Sequence, residues 1–508
     1  MLKEFQNFLN SIPHKFTPEQ EKLIRKAFDF SKNAHKGQKR KSGDDYFIHP
    51  TEAAIILGKI FPDTSTLIAT LLHDVPEDTS VTLENIQAEF GEEIANLIDG
   101  VTQLGHVRLK DSKDKFYVEN LRKLFIATSK DIRVILIKLA DRMHNMQTLE
   151  FINPEKQIKV AKETLEIYAP IAARLGISNW KDDLEDMSFR IVYPKEFEQT
   201  EKLLKEELSK REESLRIMEK SLGHILRTEG IKYIEINGRI KRVYSLFRKL
   251  DKYQGDITKI HDLIALRIIT KSTSECYAAL GVVHKHFQPV PGRIKDMIAN
   301  PKPNGYQSVH TTVLTREGKT FEIQIRTDLM HEEAERGVAA HWFYAEEGKP
   351  DNMPGKIQAQ FIKELQSWQE EVNNPEEFLE NLKIDFFRDR IFVFTPKGDI
   401  KDLPLGATVI DFAFAVHTDL GYHMMGAKIN GKMKSIYDEL ESEDVVEIIK
   451  TKKEAVISRD WLKAAKTHSA RNRVRHYLNE HNKGIIQRVK ELKLEDLKGK
   501  LPRFFRKK

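Results

Sequence analysis

Apolar residues recur at three- and four-residue spacings through roughly the first 190 positions of the chain. TEAAIILGKIF and DIRVILIKLADRMHNM show the pattern most plainly, and it predicts consecutive helices. Thr17 with Pro18, and Thr82 with Glu84 behind it, supply polar helix starts. Residues 196–230 are highly charged at helical period, which predicts a connecting helix or helical pair. The pattern then changes. YIEIN, LIALRIIT, VHTTVLT and FEIQIRT are short β-rich runs between helical stretches, the mark of an α+β domain. After the loop EEGKPDNMPGK the sequence is charged and helical again, to about Glu380. RIFVFTPKGDIKDLP then predicts two strands about a turn at Pro396-Lys397-Gly398. DFAFAVHTDLGY reads as a helix ending near Gly421, and VVEIIKT as a closing strand. That ββαβ order predicts a small β-grasp module. The divisions that follow are 1–195, 196–230, 231–345, 346–387, 388–451 and 452–508.

Length and composition add limits. The 508 residues exceed one core and suggest about three or four units. A hydrophobic share of 40% with 31% charged residues fits a globular protein with solvated surfaces. No apolar run approaches the roughly 20 residues that span a bilayer, so no membrane partner is expected. MLKEFQNFLNSIPHKF does not read as a signal peptide. The single cysteine, Cys276, excludes an intrachain disulfide and fits a cytoplasmic location; it reads as a small buried side chain. Charge is uneven. From Thr451 onward 18 Lys and Arg face 6 Asp and Glu, a net of +12 that leaves −6 on the rest of the chain. Such a tail points to a polyanionic partner such as RNA, with a solvated helix end as the plain alternative.

Two clusters carry candidate chemistry. His49 in YFIHP, His73-Asp74 in LLHDVPEDT and Asp141 in KLADRMHN form a mixed nitrogen and oxygen set that suits manganese, iron or zinc. Glu77 and Asp78 follow His73 and Asp74 at four-residue spacing, so on a helix they share a face with them. Pro76 qualifies this, because proline kinks or breaks a helix. AHKGQKRKSGDDYFIHP, LLHDVPEDT, DGVTQL and IKLADRMHNMQT closely resemble the hydrolase domain of RelA/SpoT homologues, a branch of the HD phosphohydrolases. The resemblance implies an all-α HD-type domain whose four ligands bind manganese (Mn2+), with Glu77 and Asp78 activating water. It also implies that Arg40, Lys41 and Ser42 contact the phosphates or base of (p)ppGpp, and Asn145 and Thr148 its nucleoside.

In the β-rich region cations concentrate before the strands, at Arg239, Lys241, Arg248, Lys249, Arg293, Lys295 and Lys302. Asp262 and Glu322 sit at strand-like positions where they can meet, a pairing that phosphoryl chemistry with magnesium requires. NGRIKRVYSLFRKL, HDLIALRI, PGRIKDMIANPKPNGYQSVHTTV, FEIQIRT and ERGVAAHW resemble the synthetase domain of the same family, a nucleotidyltransferase-like fold. By that resemblance Arg239, Lys241 and Arg248 bind the phosphates of ATP. Asp262 holds Mg2+, and Glu322 helps bind it or takes the proton from the 3′-hydroxyl of GDP or GTP. Tyr306 stacks on guanine, with Asn304, Gln307, His310, Gln324 and Arg326 in the same pocket. Arg293-Ile294-Lys295-Asp296 matches the R-x-K-D signature of members with both activities.

DRIFVFTPKGDIKDLPLGATVIDFAFAVHTDLGYHMMGAKINGKM resembles a TGS domain, which implies contact of His417 or His423 with uncharged tRNA on the ribosome. Arg471, Arg473, Arg475 and Tyr477 could grip phosphates and stack a base, or simply be an exposed cationic face. Long family members continue into a zinc-finger or RIS module and an ACT domain, neither visible in these 508 residues. The expectation is a two-site alarmone enzyme of the stringent response, its sites controlled antagonistically through the connector at 196–230. The rivals are a hydrolase with a nucleotide-sensing second domain and a non-catalytic ribosome or tRNA adaptor.

Overall fold

The computed structural model describes residues 2–102, 115–260, 262–302, 304–315, 318, 320–340, 362, 390–451 and 457–480. All but one residue of the expected linker 346–387, and the end of the basic segment from 481, lie outside them. The chain divides into two units, Met1–Glu376 and Glu377–Lys508.

The first unit begins with twelve helices among the described residues: α1 (Leu2–Asn10), α2 (Pro18–Ala34), α3 (Ile48–Gly58), α4 (Thr64–Leu72), α5 (Val75–Asp78), α6 (Leu83–Phe90), α7 (Glu92–Thr102), α8 (Lys115–Lys130), α9 (Arg133–Gln147), α10 (Pro154–Glu163), α11 (Ala169–Arg174) and α12 (Ser178–Val192). Thr17 starts α2 through a reciprocal cap with Gln20. Thr82 starts α6 likewise, though its partner is Asn85 rather than the expected Glu84. In α4 every residue from Thr66 to Leu72 is buried, and α9 buries Val134 to Ile137 without a break. Helices apolar all round belong in the middle of a bundle, and these two stand there against α3 and α7.

The expected connector is a single 35-residue helix, α13 (Pro194–Thr228). It does not cross open solvent: Met218, Leu222 and Leu226 enter the core of the next domain. That domain is a sheet of order β1-β2-β6-β5-β3 with β4 paired to β5. Its strands are β1 (Glu235–Ile240), β2 (Ile264–Thr270), β3 (Gln288–Pro289), β4 (Lys295–Asp296), β5 (Val309–Leu314) and β6 (Thr320–Thr327). Strand period two sorts the faces. Leu266, Ile268, Ile323, Ile325, Val309 and Val313 pack with α13 and α15 (Thr273–His286), while Arg267, Glu322, Gln324, Arg326, His310 and Thr312 take the alternate positions. Cys276 of α15 is fully buried in that core.

The helical and sheet domains meet through α12, which packs on α9, α10 and α11 and also on α14 (Val243–Lys252) and α16 (Asp328–Arg336). Just past α16, Gly337 at φ +56° lies so close to Leu175 and Gly176 that a Cβ there would strike the Leu175 carbonyl. Val338 N donates to that same carbonyl at 2.9 Å.

The second unit pairs β7 (Arg390–Phe394) with β8 (Ile400–Pro404), followed by α17 (Val409–Val416) and α18 (Thr418–Tyr422). The expected single helix is thus broken at His417, whose extended backbone ends one segment and caps the next. β9 (Met424–Ile429), β10 (Lys432–Lys434) and β11 (Val446–Lys450) complete it. The β9–β10 hairpin adds to the ββαβ order that the sequence predicts, and it turns at Asn430-Gly431, at φ +51° and +78°, a strong hairpin signal. A further helix, 468–480, joins this core through Ala470 and Val474. Asp411, fully buried, accepts from the backbone N–H of Lys466 and Thr467 at 3.0 and 2.7 Å, fixing its approach. No helix among the described residues is long and apolar enough to cross a membrane.

Candidate active sites

The first site is assembled from four helices. His49 lies in the first turn of α3, His73 follows α4, Asp74 precedes α5, and Asp141 is in α9. Proline has no N–H to bond Leu72, so the helical path kinks at His73-Asp74. It continues for one more turn, with Asp78 N donating to Asp74 O at 2.9 Å. One ligand atom from each of His49, His73 and Asp141 lies within 4.8 Å of the others, and all three residues are buried. Asp74 closes the set, with Oδ1 3.1 Å from His73 Nε2 and Oδ2 3.4 Å from His49 Nε2.

These donors fit a divalent cation. His73 donates Nδ1–H to the Thr70 carbonyl at 2.7 Å, so its Nε2 faces the carboxylates as a lone pair. That buried Nε2 has no hydrogen-bond partner. Burial pushes the Asp141 carboxyl up, but Lys138, at 2.7 Å, and the two histidines hold it well below the usual range. Asp74 is likewise held low against burial by His73 and His49. Ionised carboxylates facing imidazole lone pairs call for a positive charge between them.

Around this centre the expected groups gather unequally. Burial pushes the Glu77 carboxyl up to about 7, against the pull of Lys138 and His73. Asp78 is exposed and accepts Tyr46 O–H at 2.5 Å; the same hydroxyl lies 3.0 Å from Asp74 Oδ2. Arg40 reaches Asn145 Oδ1 at 2.8 Å and Thr148 Oγ1 at 3.3 Å, and Asn145 in turn donates to Asp141. Ser42 is half-buried beside them in sequence, whereas Lys41 points to solvent.

The second site occupies the polar face of the sheet. Lys241 and Lys249 both donate to Asp262 Oδ2, the first at 2.7 Å. Against burial, these two ammoniums hold the Asp262 carboxyl far below the usual carboxylate range. Burial pushes His310 down, so it meets Glu322 as a neutral ring, with Nδ1 3.2 Å from Oε1. Tyr306 O–H then donates to His310 Nε2 at 2.9 Å, which assigns the Nδ1 proton to the carboxylate. Burial would raise Glu322, but His310 and Gln324 hold it low. Among the described residues Asp262 Oδ1 and Glu322 Oε2 carry no hydrogen bond, so each acid keeps one oxygen for a cation.

Lys302 stands 5.3 Å and Arg326 5.9 Å from the centre of the Tyr306 ring. Asn304 Oδ1 accepts from Tyr306 N at 3.3 Å, and Gln307 donates to the Ile298 carbonyl. Arg239, Arg248, Arg293 and Lys295 are exposed. Asp296, the last residue of the R-x-K-D stretch, is committed locally: it accepts from Ile298 N, Ala299 N and Tyr277 O–H.

Comparison with known proteins settles the kinship. Residues 27–178 match the HD domain, 238–349 the region found in RelA / SpoT proteins, and 391–450 the TGS domain. The guanosine-3′,5′-bis(diphosphate) 3′-pyrophosphohydrolase of Aquifex aeolicus is 43% identical over 498 residues, 95% of this chain and 70% of that protein. The chain belongs to the RelA/SpoT family. Its relatives carry names of both kinds. A GTP pyrophosphokinase of Myxococcus xanthus is 45% identical over 474 residues, 93% of this chain and 62% of that protein. A probable guanosine-3′,5′-bis(diphosphate) 3′-pyrophosphohydrolase of Synechocystis is 43% identical over 479 residues, 94% of this chain and 63% of that protein. The chain thus spans a little under two thirds of the length of these last two RelA/SpoT proteins.

Several residues at these RelA/SpoT sites escaped the sequence reading. His144 Nδ1 lies 2.7 Å from His49 Nδ1 and 3.3 Å from the Arg40 guanidinium, and burial pushes it down to about 3. Its neutral ring accepts the proton of His49 Nδ1 and so turns His49 Nε2 toward the carboxylates. Lys138 and Tyr46 hold the acids in place from outside the ligand set. Arg267 shares the polar sheet face, and its charge inside the apolar run LIALRIIT was a usable signal. In the TGS unit His417 caps α18 and His423 pairs with Asp419 at 3.0 Å. Of the three clustered arginines, Arg471 and Arg473 each donate to a carbonyl, of Ala465 and Phe414 respectively, which helps hold helix 468–480 in place, while Arg475 is exposed.

Proposed function

We propose that the chain is a two-site enzyme of (p)ppGpp metabolism. One site hydrolyses (p)ppGpp to GDP or GTP and pyrophosphate. The other transfers pyrophosphate from ATP to the 3′-hydroxyl of GDP or GTP, giving (p)ppGpp and AMP. The observation that carries the reading is the presence, on one chain, of a buried imidazole and carboxylate cluster and a separate cation-lined face bearing two acids. The family membership and the names of both kinds among its relatives support it.

In the hydrolase, a divalent cation held by His49, His73, Asp74 and Asp141, manganese by family resemblance, would lower the pKa of water and polarise phosphorus. Glu77, its carboxyl lifted toward neutrality, takes the proton of the attacking water. Tyr46 orients Asp78 beside it. Arg40, fixed by Asn145 and Thr148, meets the substrate's negative charge.

In the synthetase, Asp262 and Glu322 would hold magnesium, which would spread the charge of the triphosphate. Tyr306 stacks on guanine, and its hydroxyl, through His310, keeps Glu322 an acceptor for the 3′-hydroxyl proton. Arg239, Lys241 and Arg248 neutralise the phosphates of ATP. The 3′-oxygen bonds to the β-phosphorus as the bond to the α-phosphate oxygen breaks, and AMP leaves. We place the enzyme in the cytoplasm, with the TGS unit and uncharged tRNA on the ribosome as its regulatory contact.

The test is direct. Purified chain is given labelled ppGpp with manganese, then ATP and GDP with magnesium. Release of pyrophosphate in the first and ppGpp with AMP in the second is the expected result. Hydrolysis alone would leave the second site a sensor, and neither activity would leave an adaptor.

A further inference from the structure

The division of the chain at residue 195 assigns α12 to the hydrolase, but one side of α12 serves the other domain. α14 begins at Val243 behind Arg242, whose own side chain caps nothing. The first N–H groups of a helix need acceptors, and an acceptor near the N-cap supplies one. Here it comes from 58 residues away: Asp186 Oδ1 accepts from Tyr244 N at 2.9 Å. Arg242 donates to Asp183 Oδ1 at 2.7 Å, which holds the turn before the helix against the same face of α12. One turn along, the Phe189 ring packs on Tyr244 and Phe247, with centroids 5.2 and 4.7 Å apart. Both carboxylates also sit at the positive end of the α14 dipole. The start of α14 is therefore held by α12 at Arg242, Tyr244 and Phe247.

What α14 carries gives this contact its meaning. Lys249 donates to Asp262, and Arg248 is a candidate ligand for the ATP phosphates. A helix free to fray or tilt at its start would present both cations less sharply.

We propose that Asp186, assisted by Asp183, is a positioning residue of the synthetase: it supplies from the hydrolase side the N-cap that α14 lacks, and so sets Lys249 and Arg248 against Asp262 and the triphosphate. The inference rests on the synthetase reading above, and it locates in α12 a requirement of the transfer reaction.

The experiment uses the full chain and reads binding apart from turnover. Affinity for α,β-methylene-ATP is measured by calorimetry, together with kcat and KM for ATP and GDP and the rate of ppGpp hydrolysis. Asp186→Ala should weaken the analogue and raise KM for ATP by about five- to tenfold, the size of a lost cap, with KM for GDP and hydrolysis within twofold of the unsubstituted chain. Asp186→Asn keeps an acceptor oxygen and should bind normally. A second rescue comes from the helix itself. Arg242 has the extended backbone of an N-cap, φ −67° and ψ 150°, so Arg242→Ser in the Asp186→Ala background should restore most of the affinity. Unchanged analogue affinity in Asp186→Ala would overturn the proposal, as would an Asn variant as weak as the Ala variant or a serine that restores nothing. Intact hydrolysis shows that the variants fold; should Asp186→Ala fail that check, the Asn variant and the serine double variant still decide. If the unsubstituted chain binds the analogue yet transfers no pyrophosphate, the synthetase reading falls while the cap remains measurable.

Discussion

The hydrolase and synthetase sites solve the problem of holding acids together in opposite ways. The hydrolase ligands stand on helices whose other faces are core, and His49, His73 and Asp141 are 2%, 2% and 5% exposed. Each is oriented by a neighbour that is itself fixed: Thr70 for His73, His144 for His49, Lys138 and Asn145 for Asp141. The synthetase acids instead lie half-buried on a polar sheet face, answered by lysines on flexible stems, and several candidate phosphate ligands are exposed. The difference follows from what each must hold first. On the proposed reading, a small cation would bind a rigid, nearly finished cage, whereas two large polyanions would need a surface that closes on their charge.

The sharpest way to break this contrast is to remove a ligand from the cage. His73→Ala should abolish hydrolysis and lower manganese affinity by at least a hundredfold in calorimetry, while pyrophosphate transfer proceeds; retained manganese binding would show that the cage is not the site. Next, Glu322→Gln should cut transfer by roughly a thousandfold, in line with loss of a positioned base or cation ligand, with hydrolysis untouched. The raised Glu77 pKa gives a signed expectation for pH. The base works when ionised, so hydrolysis should climb with pH around 7, and a bound cation should shift the rise to lower pH. Glu77→Gln should be slow and lack that rise. On the sheet face, losing the ring of Tyr306 should matter mainly for binding. Tyr306→Ala should raise KM for GDP about tenfold, within the roughly 1–3 kcal/mol of a base stacked on an aromatic ring, whereas Tyr306→Phe should keep KM and lower kcat by releasing His310. The smallest effect falls in the other unit. Arg473→Ala should cost about 1 kcal/mol, the value of one hydrogen bond to a carbonyl, and lower the melting temperature of the TGS unit by a few degrees.

How far the sequence spoke depended on the reach of the interaction. Helices of residues 1–190 and the β-rich domain were legible because periodicity is local, and so were the motifs that bring His49, His73 and Asp141 together. Contacts made across long separations were not. Nothing near His144 announces His49, 95 residues earlier, and Asp186 gives no hint of Tyr244. The tail shows the same limit: RNRVR reads as a polyanion grip or an exposed cationic face, and nothing in it announces that Arg473 donates to the Phe414 carbonyl, 59 residues earlier. The β9–β10 hairpin is a different case: Asn430-Gly431 is a local turn signal, but the strands it joins are short, six and three residues.

The place where Gly337 meets Leu175 and Gly176 has a mechanical consequence. Side chains normally cushion a joint, because a rotamer can turn to absorb an ångström of displacement. Here main chain touches main chain, and Val338 is tethered to the Leu175 carbonyl as well. Such a joint has no slack. Any tilt of α16, which carries Glu335 against Arg326 on the polar sheet face, must either push the turn between α11 and α12 or tear away from it.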